Sequence, residues 1–179
     1  MRLEITERGP KDFYDEIMYI AANFKKFRMK PNRKVHPQSL VYTGYCVATL
    51  LVILVFMLEY LGDHNGVFLL LSGMMLVCFF LLIVIVVSMR KRITAMMNEP
   101  GTKVITIDDR GVGYEAESQT VNIKWDEISN VIINKNSIVF MPRTDMSLMI
   151  SVYSKFKDQI LQGVAEVGHM ELVVDNTAK

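Results

Sequence analysis

Two stretches of the chain are apolar on every side. Seventeen of the 21 residues from Leu40 to Tyr60, and 20 of the 23 from Val67 to Met89, are Ala, Val, Ile, Leu, Met, Phe, Tyr or Cys. At a helical rise of about 1.5 Å per residue they reach about 32 and about 35 Å, enough to cross a bilayer. Both are longer and more uniformly apolar than a strand or the amphipathic helix of a soluble protein, so both are predicted to span a membrane. Only Leu61-Gly62-Asp63-His64-Asn65-Gly66 lies between them. That is tight-turn composition, and the pair is predicted to form an antiparallel hairpin.

Elsewhere the pattern has a period. Arg2 to Thr6 alternates briefly, Gly9-Pro10 breaks it, and Asp12 offers an N-cap. Phe13, Ile17, Ile20, Ala21, Phe24 and Phe27 then recur at spacings of three and four, which predicts an amphipathic helix. Its apolar stripe has two candidate partners, the inner leaflet of a membrane or the soluble part of the chain. Past the second apolar stretch, Arg90 to Asn98 reads as a short helical continuation stopped by Pro100-Gly101. Strands are predicted at Val104 to Ile107, Val112 to Ala116, Thr120 to Trp125, Ile128 to Ile133, Ser137 to Met141 and Met146 to Val152. Asp108 to Gly111, Asn134 to Asn136 and Pro142 to Asp145 supply turns between them. A helix capped by Ser154 follows, with Phe156, Ile160, Leu161 and Val164 on one face and Gly168 past its end.

The sequence thus divides into residues 1–34, residues 35–92 with spans at 40–60 and 67–89, and residues 101–179. Its fold class is a membrane α-helical hairpin plus an α+β domain, in which an antiparallel sheet or partial barrel is closed by a C-terminal helix. The last segment is expected to fold around Ile105, Tyr114, Ile123, Trp125, Phe140, Ile150 and Leu161. Its 79 residues make a marginal core, which leaves open a contribution from the N-terminal segment.

Charge sets the orientation. Lys25, Lys26, Arg28, Lys30, Arg33 and Lys34 precede the first span and Arg90, Lys91 and Arg92 follow the second, while the connecting loop has no Lys or Arg. The positive-inside rule then puts both termini in the cytosol. The same nine cations are candidates for contact with anionic lipid. Against direct headgroup sensing by the C-terminal domain, residues 93–179 carry 12 acidic and 8 basic side chains. The near balance of 20 Lys and Arg with 19 Asp and Glu gives no sign of a nucleic-acid binder.

Few residues converge on chemistry. His36 and His64 fall on opposite sides of the expected membrane and His169 lies near the end of the chain, so the three do not make a metal cluster. Gly111-Val112-Gly113 lacks the spacing and the lysine of a phosphate-binding loop. Cys46 and Cys78 are offset by about 7 Å along antiparallel helices, too far for a disulfide, and read as buried thiols. No enzyme and no cofactor is indicated. Glu59, one turn from the outer end of the first span, is read as an interfacial anchor or a partner contact. Gly44 and Ala48, four apart on one face, offer close packing between helices, with Ser72 and Gly73 on the second span. Trp125 follows Val121 and Ile123 in alternation and is expected to anchor the core, and Arg143 and Lys155 are expected to be solvated.

The order of these elements, together with Ile123-x-Trp125-Asp126-Glu127-Ile128, resembles the YcxB-like membrane proteins of bacteria. The chain departs from that family at Ser151-Val152-Tyr153, where members carry a proline and a basic residue. The resemblance implies a pleckstrin-homology-like soluble domain and a bacterial inner-membrane location, and it implies no activity. Three functions are consistent with the pattern: a membrane-tethered interaction or regulatory module with a protein partner at the inner face, an immunity protein against a membrane-acting toxin, and a lipid-headgroup sensor. Homo-oligomerisation is open to each.

Overall fold

The computed structural model describes residues 1–36, 38–98, 101–117 and 119–177, with the backbone alone at 38–40, 63, 89–90, 92–94 and 96–98. Pro100 and Ser118 therefore lie outside the described residues, as do the side chains of Arg90 and Arg92. The chain divides into two compact units, one built from Met1–Val35 together with Met97–Lys179 and the other from His36–Met96.

Among the described residues, the first unit has eight strands and three α-helices. Strand β1 (Arg2–Ile5), helix α1 (Lys11–Ala22) and helix α2 (Phe24–Met29) come before the apolar stretches. After them come β2 (Lys103–Ile107), β3 (Gly111–Ala116), β4 (Gln119–Lys124), β5 (Ile128–Ile133), β6 (Ser137–Pro142) and β7 (Ile150–Tyr153), and then a helix and a final strand, β8 (Val173–Asp175). Two four-stranded sheets result, ordered β1-β2-β3-β4 and β7-β6-β5-β8. All pairs are antiparallel except β5 with β8.

β1 is the first strand of the first sheet, yet its neighbour begins nearly a hundred residues later. Leu3 stands opposite Ile105 and Ile5 opposite Lys103, and the Ile107 N–H donates to the Met1 carbonyl at 2.9 Å. The β-rich body is thus closed by its own N-terminal segment.

Alternation explains how the second sheet comes to be buried on both faces. Val131 and Ile133 of β5 and Ile138 and Phe140 of β6 point into the main core, with Ile107, Val112 and Ile123 of the first sheet. Their neighbours Ile132, Val139 and Met141 point the other way and meet Ile20, Phe24 and Phe27 of α1 and α2. The apolar stripe of the N-terminal helices is therefore spent on the sheet. A strand with both faces covered needs no polar side, which is why Ile138 to Met141 of β6 read as an unbroken apolar run.

Several local expectations change. The N-terminal helix begins at Lys11 with Pro10 at its N-cap and breaks at Asn23, whose N–H reaches back to Tyr19 and Ile20. Met146–Leu148 is a single 3-10 turn, fixed by the Asp145 carboxylate accepting from the Ser147 N–H at 2.9 Å. Ser154 does not cap the next helix; its hydroxyl donates to the Lys135 carbonyl, and a 3-10 turn leads into α5 (Lys157–Glu166). Gly168 closes α5 at φ +80, a conformation open to glycine. The helix is not the last element, because β8 follows it and extends the second sheet.

The second unit is a pair of long helices, α3 (Gln38–Asp63) and α4 (Gly66–Asn98). Within them Val41–Gly62 and Gly66–Ser88 are long and apolar enough to cross a membrane. The shielded positions form one stripe on each helix, through Tyr42, Cys46, Thr49, Ile53, Phe56 and Tyr60 on α3 and through Phe68, Ser72, Met75, Phe79, Leu82 and Val86 on α4. That alternation of three and four is the seam of two helices packed side by side. Gly44 and Ala48 lie off this seam: both are exposed, and a Cβ on Gly44 would meet nothing within 4 Å. The expected close packing therefore does not run through them, and of the small residues on α4 it is Ser72 that sits in the seam. Cys46 and Cys78 are both free, and Cys78 is exposed instead of buried.

Candidate functional site

Among the described residues of the folded body, the six cations that precede α3 in sequence form a dense run of like charge. Phe24 and Phe27 point inward, so Lys25, Lys26 and Lys30 are left outward, joined by Arg33 and Lys34 on the following segment; all five are exposed and Arg28 is half-exposed. No acidic residue occurs between Glu16 and Glu59 in the sequence.

The surface is held from beneath by polar contacts. Glu16 of α1 is buried, and its carboxylate accepts from the Asn136 N–H at 3.2 Å, the Asn136 side-chain amide at 2.9 Å and the Ser137 hydroxyl at 2.8 Å. A buried carboxylate needs such donors, and here they lock α1 to the β5–β6 turn. Arg28 donates through Nη1 to the carbonyl of Arg143, whose own Nε donates to the Ile128 carbonyl at 3.2 Å. Arg143 is thus bound to backbone while remaining exposed. The side-chain amide of Asn176, just past β8, donates to the Pro31 carbonyl at 2.8 Å and the Arg33 carbonyl at 3.4 Å. The cations are consequently displayed on a fixed scaffold.

This packing also alters the charge argument. Residues 93–179 are net acidic, but they are not the folding unit. With residues 1–35 included, residues 97–179 belong to a body of 17 basic and 17 acidic side chains. The balance is uneven along the chain, with 9 basic against 5 acidic residues in the first segment.

Trp125 sits at the other candidate position. It opens a 3-10 turn just past the end of β4 and is only 7% exposed. Its Nε1–H donates to the Asp108 carbonyl at 2.8 Å, and its indole stacks on the His169 ring, centroids 4.5 Å apart. The Glu127 carboxylate accepts from the Lys124 N–H at 3.2 Å, which helps end the strand there. Asp108 itself accepts from the N–H groups of Arg110 and Gly111 at 2.9 and 3.1 Å, as a turn residue does. Lys155 is exposed and paired with Glu7 at 2.6 Å.

Clefts on the surface of the body include two lined by described residues. One, of about 170 Å³, is lined by Ile5, Thr6, Glu7, Arg8, Tyr14, Gly101 and Lys103; the other, of about 210 Å³, lies among Met1, Arg2, Leu3 and α5. Neither brings a nucleophile together with a histidine. Among the described residues no three His, Cys, Asp or Glu side chains are placed to share a metal ion. In the second unit, Glu59 is exposed near the end of α3 and Lys91 is exposed on α4.

Sequence reasoning missed Glu16 and Asn176, the two residues that fix the cationic surface. Nothing in an isolated Asn near a chain end signals its partners. For Glu16 there is a signal in retrospect: it stands on the buried side of the helix beside Phe13 and Ile17. Compared with family models, with curated proteins and with solved structures, the chain matches none.

Proposed function

We propose that this is an integral protein of the bacterial inner membrane, whose two apolar helices hold a β-rich body at the cytosolic face, where the body binds a protein partner. One observation carries the reading. β1 pairs with β2 across the whole apolar insertion, so both ends of that insertion must lie on one side of any membrane it enters. Two helices long enough to span, joined by a short turn and mostly unshielded, meet that requirement. The nine flanking cations favour the cytosolic side. Such an anchor confines the body to the inner face and raises its effective concentration for partners there.

The strand order supports reading the body as pleckstrin-homology-like, the fold that the resemblance to YcxB-like proteins implies. Four antiparallel strands, three more in a second sheet and then a helix are the plan expected of a pleckstrin-homology-like domain. On this reading α1, α2 and the two long apolar helices all lie between the first two strands of that plan.

Topology is tested with single cysteines at Asn65 and Asn122 in a Cys46→Ser, Cys78→Ser background. An impermeant maleimide on intact cells should label the first alone; labelling of the second alone would reverse the orientation. Crosslinking in native membranes followed by mass spectrometry should recover a reproducible protein partner. Recovery of lipid adducts without any such protein would replace the partner reading with a lipid-sensing one.

A further inference from the structure

We propose that the outer face of α2, formed by Lys25, Lys26 and Met29 with Lys30 just past its end, rests on the anionic phospholipid surface of the membrane that α3 and α4 enter. This inference depends on the spanning reading above. The mode of contact differs from that of a helix floating on a leaflet by its apolar stripe, because that stripe is occupied: Phe27 is 1% exposed against Ile132, Val139 and Met141. What remains outward is a cationic face with one apolar side chain, Met29, at 71% exposure.

Charge, position and rigidity agree on the occupant. No carboxylate follows Glu16 before Glu59, and Glu16 itself is buried under its three donors. At the Arg143 edge, the Asp145 and Glu127 carboxylates are turned to the N–H groups of Ser147 and Lys124. Lys34 stands seven residues before Val41, where the first apolar span begins. Basic residues so close to a span lie within the reach of a leaflet's surface potential, which decays over about 10 Å at 0.1 M salt. The scaffold beneath α2 is already ordered, so little conformational entropy remains to be lost on contact. Met29, unbranched and flexible, can enter the headgroup region between its two basic neighbours.

Contact on this face would give the body a fixed attitude at the bilayer.

The test uses the full chain carrying Cys46→Ser, Cys78→Ser and Met29→Cys, the last labelled with an environment-sensitive fluorophore. It is reconstituted into phosphatidylcholine vesicles and into mixed phosphatidylcholine and phosphatidylglycerol vesicles. A blue shift and a drop in iodide quenching of about two-fold are expected only where phosphatidylglycerol is present. Both should disappear in a Lys25→Gln, Lys26→Gln, Lys30→Gln variant and in about 1 M salt, where screening shortens to about 3 Å. The same fluorophore at Gln159→Cys, on α5, should not respond. Equal emission from the Met29 site in both vesicle types overturns the proposal, as does an equal response at Gln159. Alkaline carbonate extraction separates the two layers of inference. Release of the chain at high pH defeats the spanning reading, whereas retention without a fluorescence response defeats the α2 contact alone.

Discussion

Ile107 and Leu70 are apolar residues of similar size with opposite fates, one fully buried between sheets and the other 64% exposed on α4. The contrast holds across the two units. In the body, Ile, Val and Phe from seven strands and three helices cover one another, and most charged side chains are left at the surface, Asp15 and Glu16 being buried exceptions. In the helical pair, one stripe per helix is shielded while Leu61, Met74, Val84 and their neighbours stay open. Water would penalise that surface by roughly 25 cal/mol per Å². One unit therefore carries its own apolar interior, and the other leaves most of its apolar surface uncovered.

The comparison is broken or sharpened most strongly by separating the parts. Residues 101–177 alone lack β1, α1 and α2, which leaves Ile132, Val139 and Met141 uncovered on one face of a sheet. This fragment should show no cooperative urea transition, a loss comparable to the whole stability of a small domain, about 5 kcal/mol or more. Residues 1–35 joined to 97–177 by a flexible linker should recover a cooperative transition in water, followed by Trp125 fluorescence. If the fragment without β1 folds as well, the N-terminal segment is decoration.

Next in size is Phe27→Ala, in that joined body, which should cost about 3 to 5 kcal/mol through a cavity facing the second sheet. A shift in denaturation midpoint is the readout, and a cost near zero would return α2 to the status of a free amphipathic helix. Leu54→Lys probes the other unit. At an exposed position in water a lysine is tolerated, but at the middle of a span it opposes insertion by about 2.5 to 3.5 kcal/mol. The variant should therefore become extractable at alkaline pH or be degraded, and normal behaviour would argue against a bilayer around α3.

The smallest effect is electrostatic. Asp175, at the end of β8, has its carboxyl held down at about 2 by hydrogen bonding to Lys157, with Thr177 adding side-chain and backbone donors. A carboxylate depressed in the folded state stabilises it above the unfolded value near 3.8 and loses that contribution as pH falls towards 2. Because the Lys157 pair is partly solvent-exposed, screening reduces its worth, and Lys157→Met should cost less than about 1 kcal/mol at neutral pH. The difference between the variant and the parent body should close as pH drops through that window.

How much was legible in the sequence follows the same division. Continuous apolar runs announce themselves, and the spans expected at 40–60 and 67–89 fall inside α3 and α4. The strands β3, β4, β5 and β6 were legible because local alternation and turn residues bound them. β1 was visible as a pattern but not as a member of the sheet, since four alternating residues say nothing about a partner a hundred positions on. β8 is only three residues long and pairs in parallel, so neither turn chemistry nor alternation marks it. The cationic run could be read as charge, but which way it faced depended on what covered Phe24 and Phe27. The unbroken apolar run of β6 did hold that answer, because a strand with no wet side implies a layer on each face.

The pairing of β1 with β2 also sets a timetable for synthesis. Ile5 leaves the ribosome 98 residues ahead of Lys103, its partner across the ladder. At about 5 to 20 residues per second that is an interval of about 5 to 20 s. Throughout it β1 has unpaired amides and carbonyls, and α1 and α2 have a bare apolar stripe with no sheet to receive it. The body closes only after both long helices have been made, so a ribosome that stalls within α4 strands an N-terminal segment with nowhere to dock. For this chain, the two long apolar helices are complete before the body can close, by order of emergence.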